Sequence, residues 1–221
     1  MGLEMDLYKV KRVEGFSAMD YAYADRRLEY NRGKENAKKN KKRFNPSLED
    51  WGIPSSMTLE KAKVFESELR EVGGYFKRLS IFDNVGYWHK ANHIHAWFVR
   101  NVQGGTDDCS YYFVTEEQFL ELKETCEKVL TLKPFSIDED SDLFCVGAST
   151  LIDNGVISKE DYEELKAKLE KIMPTQAGYY FGGTDYNPDY FQAVEETLEI
   201  VDKVLENGDF DKEVYLYNSS W

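Results

Sequence analysis

The stretch Tyr87-Trp88-His89-Lys90-Ala91-Asn92-His93-Ile94-His95-Ala96-Trp97-Phe98-Val99-Arg100-Asn101 decides how this chain is read. It holds all three histidines and two of the four tryptophans. As a strand, it would point His93 and His95 to the same side, where they could share an ion. As a helix, it would set them about 200° apart, too far to do so. Ala91, Asn92, Ala96, Trp97 and Phe98, followed by Arg100 and Asn101, favour the helix. On a helix His89, His93, Trp97 and Arg100 share one face at spacings of three and four. His95 then falls with Ala91, Asn92 and Val99 and reads as a structural residue. Imidazoles exchange protons near neutral pH and indoles offer a rigid stacking face, so the segment reads as a site.

Outward from it, helices and strands alternate without a strict rhythm. Leu3, Met5 and Leu7 alternate with Glu4, Asp6 and Tyr8, which predicts a strand within residues 2–13. Residues 17–31 suit a short helix running into a basic segment. Ser56 or Thr58 opens another, ended by Gly73-Gly74. Cys109 to Val114 reads as a short aromatic strand. Thr115 caps a helix whose buried stripe is Phe119, Leu122, Cys126, Val129 and Leu130. Ser158 starts the next helix, over Tyr162 to Ile172. Pro174 to Tyr186 reads as a strand between turns, residues 188–206 as the last helix, and Val214 to Tyr217 as a closing strand able to pair with the first. The pattern predicts one α+β domain over residues 1–221, a small sheet packed by several helices, with insertions at about 31–57 and 131–157.

Composition narrows the classes of function. The 221 residues are 42% hydrophobic and 31% charged, which suits a globular domain with a full core. The aromatic share is high at 14%, with 15 Tyr and 13 Phe, and tyrosine-rich surfaces often bind ligands. The net charge is −13, yet residues 1–50 carry 12 Lys/Arg against 9 Asp/Glu. The basic excess lies in Arg32, Lys34, Lys38, Lys39, Lys41, Lys42 and Arg43. The acidic remainder opposes duplex DNA binding. The three cysteines Cys109, Cys126 and Cys145 are widely spaced. No leader-like or membrane-spanning run is present, so a cytoplasmic protein with free thiols is expected.

Complete catalytic sets are missing. There is no HExxH or CxxC, so neither a metal nor a cofactor is expected. Cys109 as nucleophile is disfavoured by Asp107 and Asp108, since acids raise a thiol pKa. Gly178-x-x-x-Gly182-Gly183-Thr184 lacks the lysine of a phosphate loop, although its backbone N–H groups could face an anion.

Several blocks carry a resemblance: Gly2-Leu3-Glu4-Met5-Asp6-Leu7-Tyr8, Trp88 to Phe98, Gly105 to Tyr112, Pro174 to Tyr190 and Tyr217-Asn218-Ser219-Ser220-Trp221. Together they resemble a family of uncharacterised phage and bacterial proteins. That family opens with Met-Gly-Leu-Asp-Met, carries a Trp-x-Lys-Ala-Asn-His-Ile-His core and ends in Ser-Ser-Trp. This chain departs with Glu4 for Asp, Asp6 for Tyr and His89 for Arg. The resemblance implies a phage or bacterial origin, and hence the host cytoplasm for a phage protein, but no chemistry.

The expectation drawn from these residues is a small-molecule-binding protein that sequesters a nucleotide-derived immune signal without cleaving it, by analogy with small phage proteins of that kind. Trp88 and Trp97 would stack the ligand, and Lys90 and Arg100 would neutralise its anionic groups. Asn92, His93, Gln103 and Thr184 would supply hydrogen bonds. One alternative is a hydrolase of the same ligand with His93 as general base, oriented by Asp107 or Asp108. A further alternative is an acidic protein-interaction module. A homo-oligomer is expected, with aromatic segments near both termini in the contact.

Overall fold

Period-two alternation at the N-terminus becomes strand β1 (Glu4–Lys11), with Met5 and Leu7 facing one side and Tyr8 and Val10 the other. The computed structural model describes residues 2–73, 78–134, 146–178 and 183–221. Ser17 and Asp20 close a capping box that starts α1 (Ala18–Lys39). This helix continues past residue 31, because Lys34, Glu35, Ala37, Lys38 and Lys39 are good helix formers. Its last-turn lysines also complement the helix dipole.

Thr58 caps α2 (Leu59–Ala62), which tightens into a 3-10 turn over Lys63–Glu68. A two-stranded ribbon of β2 (Arg70–Val72) and β3 (Arg78–Ser80) follows. Then come β4 (Asp83–His89) and α3 (Asn92–Asn101). The expected single helical face is therefore corrected: His89 ends a strand, and only from Asn92 is the segment helical. The remaining elements are β5 (Tyr112–Val114), α4 (Glu116–Leu130), α5 (Ala148–Asp153), α6 (Lys159–Ile172), α7 (Pro188–Asn207) and β6 (Glu213–Ser220). The described residues of 174–186 form no strand, and residues 179–182 and Cys145 lie outside the described residues.

These elements make an α+β domain around an antiparallel four-stranded sheet in the order β4-β1-β6-β5. The terminal strands do pair, from Glu4 opposite Ser220 to Lys11 opposite Glu213. One sheet face packs Met5, Leu7, Trp88, Tyr215 and Tyr217 against buried residues of α3, α4, α6 and α7. The other face packs Val10, Val214 and Leu216 beneath α1 and the segment reaching Phe82. Each such side chain contributes about 1.5–3 kcal/mol when fully buried.

The segment after residue 39 packs back onto α1. Tyr30 meets Phe44 and Trp51 edge-on, at 5.2 and 5.7 Å between ring centroids, and its hydroxyl donates to the Pro46 carbonyl at 3.1 Å.

One close approach fixes where α7 lies. A Cβ on Gly86 of β4 would come within 2.6 Å of Ile200 Cγ2, so the strand meets the helix where a side chain is missing. From that contact α7 runs back past Thr197, which accepts from Trp88, so that its N-terminal half lines a cleft with the β4–α3 junction.

Candidate functional site

The β4–α3 junction is a tight, strained turn. Lys90 adopts a left-handed backbone with φ of 58°, and Ala91 follows at φ −82° and ψ 71°, an inverse γ-turn. The Lys90 N–H donates to the Leu3 carbonyl at 2.9 Å, and the Asn92 N–H donates to the Lys90 carbonyl at 3.0 Å. A left-handed non-glycine residue costs about 1 kcal/mol or more, and such strain gathers at functional sites.

This turn forms one wall of a cleft of about 560 Å³. His89, Lys90, Asn92 and His93 line that side. Thr175, Gln176, Gly183, Asp185 and Asn187 come from the segment before α7, and Asp189, Tyr190, Gln192 and Glu196 from α7 itself. Asn187 caps α7 through the Tyr190 N–H at 3.1 Å, and its amide donates to the Val146 carbonyl at 3.0 Å. Asp185 accepts the Ala148 N–H at 3.0 Å. The hydroxyl of Tyr190 donates to the Met173 carbonyl at 2.7 Å. The walls are thus tied to α5 and α6 as well as to the sheet.

His93 is the central group. Its ring lies 4.4 Å from that of Tyr190 between centroids. A backbone hydrogen bond to Tyr190 favours the protonated form, so Tyr190 supplies its carbonyl and Nδ1–H donates to it. Nε2 is buried and, among the described residues, has no hydrogen-bond partner. Burial pushes the pKa down to about 3, and the Tyr190 bond opposes this only in part. The ring is therefore neutral, with an acceptor lone pair on Nε2.

The two residues beside this turn differ. Trp88 is buried in the core, and its Nε1–H donates to Thr197 Oγ1 at 2.9 Å. His89 is half-exposed, and its Nδ1 lies 2.9 Å from Glu4 Oε1, while the Tyr87 hydroxyl donates to the other Glu4 oxygen. The Tyr87 bond, more than any other contact, holds the Glu4 carboxyl below its usual range.

Of the residues expected to form the site, Lys90, Asn92 and His93 line this cleft. Thr184 is exposed between the lining residues Gly183 and Asp185, and its carbonyl accepts from Thr175 Oγ1 at 3.2 Å. Trp97 is 3% exposed and packs edge-on against Phe98, so neither expected indole offers a stacking face. Arg100 is exposed near the end of α3 and does not line the cleft. Gln103 is buried, with both side-chain polar atoms unpartnered among the described residues, and does not line it either.

Asp107 orients His95 rather than His93. It meets His95 Nε2 at 3.0 Å, and Nδ1 of the same ring meets the Tyr217 hydroxyl at 2.7 Å. Cys109 has its thiol pKa raised by burial first and by Asp107 and Asp108 after it, the opposite of what a nucleophile needs.

Sequence reasoning missed His89 as a cleft residue, and missed the carboxylates Asp185, Asp189 and Glu196. The acids on α7 had a signal: Asp189 and Glu196 are seven residues apart, two helical turns on one face. What that face meets is set by the fold.

Among the described residues, no group of three or more His, Cys, Asp or Glu is disposed to hold a metal ion, and no helix is long and apolar enough to cross a membrane. No protein-family model, curated protein or solved structure matches the chain.

Proposed function

We propose that the protein binds a small polar molecule in the His93 cleft and releases it unchanged. The observation carrying this is the Nε2 of His93, a buried acceptor with no partner among the described residues, on a ring held by Tyr190. A buried polar atom left unpaired costs about 1–3 kcal/mol, which a ligand N–H or O–H recovers.

The lining narrows the ligand. Asp185, Asp189 and Glu196 outnumber Lys90, so the cleft is rich in acceptors and poor in fixed positive charge. That favours donor groups such as amino and hydroxyl groups and disfavours clustered phosphates. Among nucleotide-derived molecules, it selects nucleosides and weakly charged derivatives over polyphosphates. With Trp88 and Trp97 in the core, stacking on indoles is no part of the recognition.

Binding is favoured over hydrolysis by the basicity of His93. A general base works best with a pKa near the operating pH, and one of about 3 draws protons weakly. The test is a panel of nucleosides, nucleoside monophosphates and nucleoside triphosphates, titrated by calorimetry and analysed chemically after release from denatured protein. Nucleosides are expected to bind more tightly than triphosphates and to come back intact. Tighter triphosphate binding, or a chemically altered ligand, overturns the proposal, and alteration supports the hydrolase.

A further inference from the structure

The last turns of α1 and the residues that follow them carry a concentration of positive charge, on the sheet face opposite the cleft. Lys34, Lys38, Lys39, Lys41, Lys42 and Arg43 are all exposed, and Glu35 is the one acid within residues 34–43. Arg32 is paired with Glu29 at 3.3 Å, but among the described residues none of these six cations forms an ion pair. In a chain of net charge −13, carboxylates that could neutralise them are plentiful. The fold instead gathers the cations at one end of one helix, where like charges a turn apart, such as Lys34 and Lys38, repel each other.

Helix stability accounts for only part of this. Lys38 and Lys39 lie in the last turn and complement the dipole, and the other four lie outside it. The helix ends in a Schellman motif: the Lys42 N–H donates to the Ala37 carbonyl at 2.8 Å, and the Lys41 N–H to the Lys38 carbonyl at 3.2 Å. The left-handed position of that motif is usually glycine, and here it holds Lys41 at φ 55°. A charged side chain is kept there in spite of the strain. Directly after Arg43 the chain is tied back to α1. Phe44 packs edge-on against Tyr30 and lies so near Gly33 that a Cβ there would sit 3.1 Å from its ring. The cations are therefore displayed on a folded scaffold.

The chemistry of this surface selects its partner. Its exposed side chains are Lys, Arg, Asn and Glu, with no large apolar residue within 34–43. Protein interfaces draw on buried aromatic and apolar anchors and are depleted in lysine. A phosphodiester backbone asks only for cations and amides, and the exposed Asn36 stands among the lysines. The acidic remainder of the surface repels a rigid duplex running past the patch, whereas a flexible single strand can touch it and turn away.

We propose that the C-terminal end of α1, with Lys41, Lys42 and Arg43, is a docking surface for single-stranded nucleic acid, held through its phosphates without regard to base. The fluorescence anisotropy of a short labelled oligouridylate tests this. Contact with about four phosphates predicts an affinity that falls roughly fiftyfold between about 50 and 200 mM salt. Changing Lys38, Lys39, Lys41 and Lys42 together to Gln should weaken binding by about tenfold or more at the lower salt. Changing Lys159 and Lys171 on α6 to Gln should leave it unaltered. Lys41→Gly relieves the left-handed backbone, so it should be at least as stable as the parent in chemical denaturation and yet bind several-fold more weakly. Undiminished binding in the fourfold variant overturns the proposal, as does a parent that binds no oligouridylate at the lower salt. A polyglutamate peptide bound as tightly as the oligouridylate also overturns it and makes the surface a dock for an acidic protein. A nucleic-acid duplex of equal charge bound as tightly overturns the choice of a single strand.

Discussion

His93 and His95 stand two residues apart on α3, and the fold treats them in opposite ways. His95 has both ring nitrogens engaged, by Tyr217 and Asp107, and its ring lies 6.2 Å from that of Trp221 between centroids. It joins the sheet to the loop after α3 and has no valence left for a ligand. His93 has one nitrogen engaged and the other buried without a partner among the described residues. What separates scaffold from site in this helix is the completeness of hydrogen bonding rather than residue type or burial, since both are 8% exposed.

The comparison breaks first at the tryptophans. Trp88 and Trp97 belong with His95 on the scaffold side, so Trp88→Ala should cost about 3–5 kcal/mol in chemical denaturation. A variant that stays within 1 kcal/mol of the parent yet loses ligand would return Trp88 to the site. His95→Phe should cost about 2 kcal/mol, because the buried Tyr217 hydroxyl loses its imidazole partner and Asp107 is released. Ligand binding to the cleft should survive that change, and its selective loss would merge the two histidines into one function.

The pH dependence sharpens the contrast. Burial lowers the folded pKa of His93 to about 3 from the ordinary imidazole value of 6.5. The unfolded chain therefore binds a proton that the native one refuses, and stability rises with pH between those values. The contribution is fully present above the unfolded pKa and is lost as pH falls, by about 1.4 kcal/mol per pH unit inside the window. Denaturant unfolding of the parent and of His93→Leu at pH 4, 5, 6 and 7 should show the parent losing stability relative to the variant at about that slope. Parallel curves would mean that His93 takes up its proton in the folded state.

The smallest effect expected concerns Lys90. Replacing it with glycine relieves its left-handed backbone and should raise stability by up to about 1 kcal/mol, while weakening ligand binding. Equal affinity in the variant would reduce Lys90 to a residue of the turn.

The parts of the fold written into local chemistry were legible. Thr115, Ser158 and the Asn187-Pro188 pair mark the starts of α4, α6 and α7, because a side chain that caps a helix does so from within a few residues. The pairing of the two terminal strands was legible from their matching apolar alternation. β4 was not, since Asn84 and Gly86 interrupt its pattern, and Gly86 is there for a helix distant in sequence. Lys90, Asn92 and His93 could be picked out by type and spacing. The burial of Trp88 and Trp97 could not, because an indole suits a core and a ligand equally, and only the packing of α7 and Phe98 distinguishes them.

The arrangement of β1 and β6 at the centre of the sheet bears on how the molecule is made. β1 is translated about 200 residues before its central neighbour β6. Until then Met5 and Leu7 have only β4 beside them. The sheet cannot close before β6 is made, so its formation waits on one very long loop closure.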